Sequence, residues 1–337
     1  MKFSPEFFRE ENRDDFTVPE MMKRAWAAEL EVLKVIENVC QRNGLRYYAY
    51  CGTLLGCVRH KGFIPWDDDI DICMLREDYD RFFEIADKEL PEGFVVSGIY
   101  GSEPRLWQAN GEPQGRVMAD EKYFSLPKYM DRFHAFPYMR IGVDIFPLDS
   151  MPSDPAEQYE LVRLLTEMQT VARYADVYRK NGTLRNRVKA FEQQLEGFEY
   201  EYDYGDNESL SHAIWLASDR LAASVNESED IADILYRTLP ADKASFTGYT
   251  NMKRSWFGEG IEMPFESTVI RVPINYTDVL AWEFGKDYMT PVRFTGEHTY
   301  PFYKTQEKAF IELLKEAGVE SPVDEFCRNW HSMSGYT

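Results

Sequence analysis

The chain has 337 residues, 44% of them hydrophobic and 15% aromatic. That is apolar surface enough for a full core and excludes a globally disordered chain; at roughly 100–200 residues per domain it allows two domains, or one with large insertions. The formal net charge of −20 repels nucleic acid and anionic lipid, so general polyanion binding is excluded and an anionic substrate needs a local cationic device.

No run approaches the roughly 18–20 apolar residues of a membrane span. The opening Met1-Lys2-Phe3-Ser4-Pro5-Glu6 lacks the apolar centre of a signal peptide. The five cysteines, Cys40, Cys51, Cys57, Cys73 and Cys327, are odd in number and show no zinc-type spacing. These features predict a soluble cytoplasmic protein with reduced thiols, and leave peripheral contact with the inner face of a membrane open.

Along the chain, Met22, Trp26, Leu30, Leu33, Ile36 and Cys40 recur three or four apart between Pro19 and Asn43, which predicts an amphipathic helix stopped by Asn43-Gly44. Leu45–Cys51 is aromatic and reads as a strand, Gly52-Thr53 breaks it, and Leu54–Arg59 reads as a short helix. Lys61–Pro65 is a turn before a second strand, Asp69–Met74, and Glu77–Leu90 is a further helix. Phe94–Phe146 alternates short apolar runs with Gly and Pro, as strands and loops do; Val143–Phe146 is the clearest strand. Ala156–Tyr178 reads as one long helix. The acidic stretch Glu192–Glu208, with Tyr200, Tyr202 and Tyr204, reads as a solvated connection. Helices follow at Ser211–Val225 and Asp230–Leu239, then a strand-bearing segment at Pro264–Pro273 and a final helix at Thr305–Ala317.

The chemistry concentrates between Tyr48 and Ile72. On a strand from Asp69, alternate side chains share a face, so Asp69 and Asp71 point the same way about 7 Å apart while Ile70 and Ile72 anchor them from behind. An isolated Asp67-Asp68-Asp69 is commonly a solvated turn or a helix cap. Here it runs into an Asp-Ile-Asp-Ile alternation, and crowded carboxylates repel one another unless a cation joins them. That pattern suits Mg²⁺, which takes one or two carboxylates and completes its shell with phosphates and water; Mn²⁺ is the alternative. Gly52 and Thr53 sit where a strand yields to a helix, a place where backbone N–H groups hold phosphate. Arg59, His60 and Lys61 form a basic island in an acidic chain, suited to phosphate contacts. Asp144 stands alone between apolar strand residues, and a buried Asp is rare unless paired or metal-bound. Asp149 reads equally as a loop cap or as a supporting group. Trp66 reads equally as core or as the wall of a substrate pocket, and Asp67 as a turn residue or a substrate contact.

The segment from Cys51 to Ile72, with Gly52-Thr53-Leu54-Leu55-Gly56 and Trp66-Asp67-Asp68-Asp69-Ile70-Asp71, resembles the hallmark segment of the LicD family. Asp144-Ile145-Phe146-Pro147-Leu148-Asp149 resembles its second block, and Pro264-Phe265-Glu266 through Pro273 to Phe284–Pro291 a weaker third. The resemblance implies an α+β nucleotidyltransferase-like fold, a mixed sheet flanked by helices with a mainly helical C-terminal part. The expected organisation is a catalytic core over residues 1–150, a helical region with an acidic insertion over 151–250, and a segment over 251–337 that completes the substrate cleft. It further implies a metal-dependent transferase that moves phosphocholine, or ribitol phosphate as in the fukutin-related proteins, from a CDP-linked donor. The acceptor would be a hydroxyl of a cell-surface glycan, lipopolysaccharide or teichoic-acid precursor, lipid-linked forms included. Asp69, Asp71 and Asp144 would be catalytic and would bind the metal. Gly52, Thr53, Arg59, His60, Lys61, Trp66 and Asp67 would contact substrate. Two competing readings are a nucleotidyltransferase acting on a protein, RNA or small metabolite, and a non-catalytic glycan- or partner-binding scaffold.

Overall fold

The computed structural model describes residues 1–107, 113–195, 204–293 and 300–330. A short hairpin, β1 (Glu11–Arg13) with β2 (Phe16–Val18), leads into the helix α1 (Glu20–Asn43). Pro19 precedes the first turn, and Gly44 ends the helix in the left-handed conformation, φ 66°, its N–H donating to the Cys40 carbonyl. Then come β3 (Tyr48–Ala49), α2 (Cys51–His60), β4 (Asp71–Leu75), α3 (Arg76–Glu89), β5 (Phe94–Gly98), β6 (Gly115–Ala119), α4 (Leu126–Arg132) and β7 (Gly142–Ser150).

Strands β3, β4, β7, β6 and β5 lie side by side in that order. Only β4 and β7 run parallel; the neighbouring pairs are antiparallel, so the sheet is mixed. The helix α1 is buried along almost its whole length, with Trp26 stacked flat on Phe63 at 4.7 Å. A continuous core joins α1, the sheet, α3 and the C-terminal elements.

After the sheet the chain turns helical: α5 (Pro155–Arg173), α6 (Ala175–Lys180), α7 (Leu184–Glu192) and α8 (Asn207–Ala223). Their apolar faces form a second core with Met151, Ala232 and Ile234. Strands β8 (Asp230–Ala232) and β9 (Met252–Lys253) extend the sheet beyond the end of β7. The hairpin of β10 (Ile261–Phe265) and β11 (Thr268–Val272) and the helices α9 (Tyr276–Phe284), α10 (Lys304–Glu316) and α11 (Val323–Arg328) complete the described chain. The α+β class with a mixed sheet and a largely helical C-terminal part is thus the observed one. No helix among the described residues is long and apolar enough to cross a membrane, and all five cysteines are free.

Four local expectations change. Asp230–Leu239 is not a helix but the strand β8 and a short 3-10 turn, because the end of β7 offers unpaired backbone to Ile231 and Ala232. The short helix α4 lies inside the stretch expected to hold only strands and loops; Pro127 in its first turn and the spacing of Tyr129, Met130 and Phe133 explain it. The long helix expected to Tyr178 breaks at Tyr174. The regular strand begins at Asp71, so Asp69 lies in the approach to it. Of the acidic connection, residues 196–203, with Tyr200 and Tyr202, lie outside the described residues.

Candidate active site

The site is built where β3 hands over to α2. The backbone N–H of Tyr50 donates to the Asp71 carbonyl at 3.0 Å, and the N–H of Asp71 donates to Thr53 Oγ1 at 2.9 Å. The first turn of α2 is thereby tied to the first residue of β4. Between these contacts Cys51 takes φ 44°, a backbone conformation that costs a non-glycine residue energy and collects at functional turns. The chain then doubles back along α2 so that Asp67 returns to the helix start. A side chain on Gly52 would meet Asp67 Oδ2 at 2.5 Å, and one on Gly56 would meet the Gly62 carbonyl at 2.5 Å. At Gly56 the clash is with backbone, so glycine is required there; at Gly52 a Cβ would displace the Asp67 carboxylate.

The sheet register supplies the next layer. Asp71 of β4 lies directly beside Asp144 of β7, and Asp144 directly opposite Arg116 of β6. Adjacent strands are about 4.8 Å apart, so these three residues form one row across the sheet. Arg116 Nη1 donates to both Asp144 oxygens at 3.0 and 2.9 Å. Just before the row, carboxylate oxygens of Asp67, Asp68 and Asp69, one from each, lie within 4.8 Å of one another. Asp68 is buried and accepts from the backbone N–H of Phe302, so it anchors the C-terminal segment to the site. Asp67 is held by its carbonyl, which accepts from Trp26 Nε1 at 3.0 Å.

The electrostatics follow from this crowding. Burial, then repulsion from Asp69 and Asp144, pushes the Asp71 carboxyl well above the ordinary range. Burial and Asp69 do the same to Asp67. Glu29 of α1, 3% exposed, faces the same group: burial and the charges of Asp69 and Asp68 raise it, and its Oε2 has no partner among the described residues. The donor set is all oxygen, crowded and short of positive charge. That chemistry fits a hard divalent cation; the carboxylates whose oxygens come together within 4.8 Å are those of Asp67, Asp68 and Asp69, with Asp71 and Asp144 beside them as further candidate holders.

The basic island lies elsewhere. Arg59, His60 and Lys61 close the other end of α2, roughly 10 Å from Gly52 at 1.5 Å per residue. Arg59 Nη1 donates to the Tyr288 carbonyl at 3.1 Å, and His60 Nδ1 sits 3.2 Å from Asp14. Lys61 is exposed and takes the left-handed conformation that ends the helix, φ 57°. Trp66 is half-buried against Phe16, with the Arg293 guanidinium 5.4 Å from its ring. The structure brings Gly52, Thr53 and Asp67 together with Asp71 and leaves Arg59, His60 and Lys61 apart. Asp149 is fully buried and belongs to a separate ion-pair network with Arg76.

Two charged residues of the site escaped the sequence reading. Arg116 stands in Gly115-Arg116-Val117-Met118-Ala119, where a charge between apolar strand residues is the same signal that singled out Asp144. Glu29 falls three after Trp26 and four before Leu33, on the apolar stripe of α1.

Carboxylates thus gather in front of a mixed sheet, beside a Gly-Thr helix start. Residues 44–152 match the family model described as "LicD/FKTN/FKRP, nucleotidyltransferase domain". The likeness to that family is thus carried by residues 44–152. The chain is 33% identical over 140 residues to the lipopolysaccharide cholinephosphotransferase LicD of Haemophilus influenzae, covering 40% of this chain and 46% of that protein. Over 48 residues it is 40% identical to the ribitol 5-phosphate transferase FKRP of mouse and of human, covering 14% of this chain and 10% of each of those. The chain thus spans less than half the length of these curated relatives.

Proposed function

We propose that this protein transfers a phospho-alcohol, phosphocholine or ribitol phosphate, from a CDP-linked donor to a hydroxyl of a glycan, lipopolysaccharide or teichoic-acid precursor. The observation that carries the reading is the row Asp71–Asp144–Arg116, aligned in register, with the charges of Asp69 and Asp67 acting on Asp71 beside the start of α2. The similarity to a cholinephosphotransferase and to ribitol phosphate transferases supports the choice of transferred group.

In this account Asp69, Asp71 and Asp144 would hold Mg²⁺ or Mn²⁺, which would neutralise the diphosphate and the charge developing on its oxygens. Arg116 fixes the Asp144 carboxylate by gripping both its oxygens. The N–H groups in the first turn of α2 would turn toward a donor phosphate. The acceptor oxygen attacks the phosphorus that carries the alcohol, the bond from that phosphorus to the bridging oxygen breaks, and CMP leaves with that oxygen. The proton of the acceptor hydroxyl passes to a carboxylate of the cluster. Attack at the other phosphorus would transfer the nucleotide instead, and the same carboxylates would serve it.

A doubly labelled donor separates the two. With CDP-choline or CDP-ribitol labelled in the cytidine and in the alcohol, and lipopolysaccharide or teichoic acid as acceptor, the alcohol label should enter polymer and the cytidine label should leave as CMP. Asp71→Asn should lower the rate at least roughly 100-fold, the scale expected when a group that stabilises transition-state charge is removed. Cytidine label in the polymer would overturn the reading in favour of nucleotidyl transfer.

A further inference from the structure

The helical region that follows the sheet opens against the charge of the chain. From the end of α5 through α6 and into α7, residues 173–189 hold six cations, Arg173, Arg179, Lys180, Arg185, Arg187 and Lys189, against one acid, Asp176. That is a net charge of +5 within a chain of −20.

All six cations are exposed. Their polar and ring contacts among the described residues are with neutral groups. Arg173 stands 5.8 Å from the Trp215 ring, Arg185 5.5 Å from that of Tyr204 and Arg187 4.1 Å from that of Tyr178, while Arg179 Nε donates to Asn207 Oδ1. The acids beside Arg179 serve the start of α8 instead. Asp176 accepts from Asn207 Nδ2, and Asp206 caps the helix through the N–H groups of Glu208 and Ser209. The positive charge of this stretch is therefore left for something outside it.

Ala175, Leu184, Val188 and Phe191 turn into the second core, which sends the cations outward. Val177, 53% exposed, and Tyr174, 49% exposed, go with them, and the Tyr178 ring lies against Tyr174 at 6.4 Å. Cations attract an anionic lipid surface, tyrosine settles at the level of the headgroups, and an apolar side chain gains by leaving water there. A soluble anionic polymer would answer the cations but leave Val177 in water. We propose that residues 173–189 form the surface by which this protein rests on an anionic lipid membrane. The net charge of the chain opposes such an approach, but charges are screened over about 8 Å in physiological salt, so the cations next to the lipid decide. The proposal does not depend on the transferase reading, and its test uses lipid alone. It holds the chain at the surface where a lipid-linked acceptor would lie.

Co-sedimentation of the full chain with vesicles tests it. Vesicles of phosphatidylcholine with one-third phosphatidylglycerol should bind the chain, vesicles of phosphatidylcholine alone should not, and added salt should weaken the binding. Lys180→Glu/Lys189→Glu should weaken it at least roughly tenfold, since each cation near an anionic surface contributes about fivefold. Lys180→Gln/Lys189→Gln is a second pair in case the first disturbs folding; melting curves check both. Lys308→Glu/Lys315→Glu, at exposed positions of α10, changes the net charge equally and should alter binding less than roughly twofold. Tyr174→Ser/Val177→Ser should weaken binding to vesicles and leave binding to polyphosphate, a soluble anionic polymer, unchanged. No binding to the anionic vesicles, equal binding to both kinds, or equal losses in the two lysine-to-glutamate pairs would overturn the proposal. Vesicle binding untouched by Tyr174→Ser/Val177→Ser would overturn it in favour of an anionic polymer.

Discussion

At the scale of single residues, the site is held by contacts that leave few substitutions neutral. Thr53 accepts from the backbone N–H of Asp71 through a 2.9 Å hydrogen bond to its hydroxyl oxygen, and the carboxylate of Asp67 lies over Gly52. Away from the site, Glu31 of α1 shows how burial and pairing compete. Burial raises its carboxyl, but His134 at 2.9 Å, the N-terminal ammonium of Met1 and Arg132 at 2.6 Å outweigh this and hold it down at about 2, against an ordinary 4.5. A carboxyl depressed in the folded state stabilises the fold fully above its unfolded pKa. That contribution is lost as pH falls from about 4.5 to about 2, and amounts to roughly 3 kcal/mol at most. Glu31→Gln should therefore lower unfolding free energy at pH 7 by about 1–3 kcal/mol, and the difference from the unaltered protein should shrink toward zero near pH 2. Urea unfolding across that range checks it; a gap that stays constant with pH would contradict the pairing.

At the scale of elements, the joint between the two apolar cores is ionic. Arg76, at the start of α3, reaches Asp149 at the end of β7 through Nε at 2.6 Å and Nη2 at 3.0 Å, and Asp219 of α8 at 3.0 Å. The Tyr100 hydroxyl donates to the other oxygen of Asp219. Burial pushes Asp149 up to about 6 even beside Arg76. Removing the arginine alone strands two buried carboxylates, so Arg76→Met should cost about 3–5 kcal/mol in thermal or urea unfolding; a loss under 1 kcal/mol would show that the network contributes little. This joint bears on what was legible in the sequence. The helix α1 was readable because its apolar residues recur with helical period over six turns, and β7 because Asp144 interrupts an apolar run. Asp149 was ambiguous because its partner, Arg76, lies 73 positions away, and no local pattern announces a pairing over such a distance. The same holds for β8: whether Ile231 and Ala232 form helix or strand is decided by the end of β7, not by their neighbours in sequence. Arg59, His60 and Lys61 follow the Gly-Thr turn closely along the chain, but the intervening helix carries them to its opposite end.

At the scale of the whole molecule, a chain of formal charge −20 gathers further negative charge at its candidate centre, with Arg116 the cation paired to Asp144. An anionic nucleotide donor is repelled by both the global and the local field unless a divalent cation joins it there. The fold class was legible through the family resemblance of the segments around Gly52–Asp71 and Asp144–Asp149, which implies it. The carboxylate row was legible in part: Asp71 and Asp144 carry the signal of charges between apolar strand residues, whereas their adjacency comes from the parallel pairing of β4 with β7. The central claim is that these carboxylates use a divalent cation to bind a CDP-alcohol. The most direct test is calorimetric binding of CDP-choline, CDP-ribitol, CDP-glycerol and CTP, each with Mg²⁺ and with EDTA, repeated on the double variant Asp69→Asn/Asp71→Asn. The account predicts that one CDP-alcohol binds in preference to CTP, only with Mg²⁺, and that a folded double variant loses it. Equal binding in EDTA, or binding retained by the double variant, would contradict it.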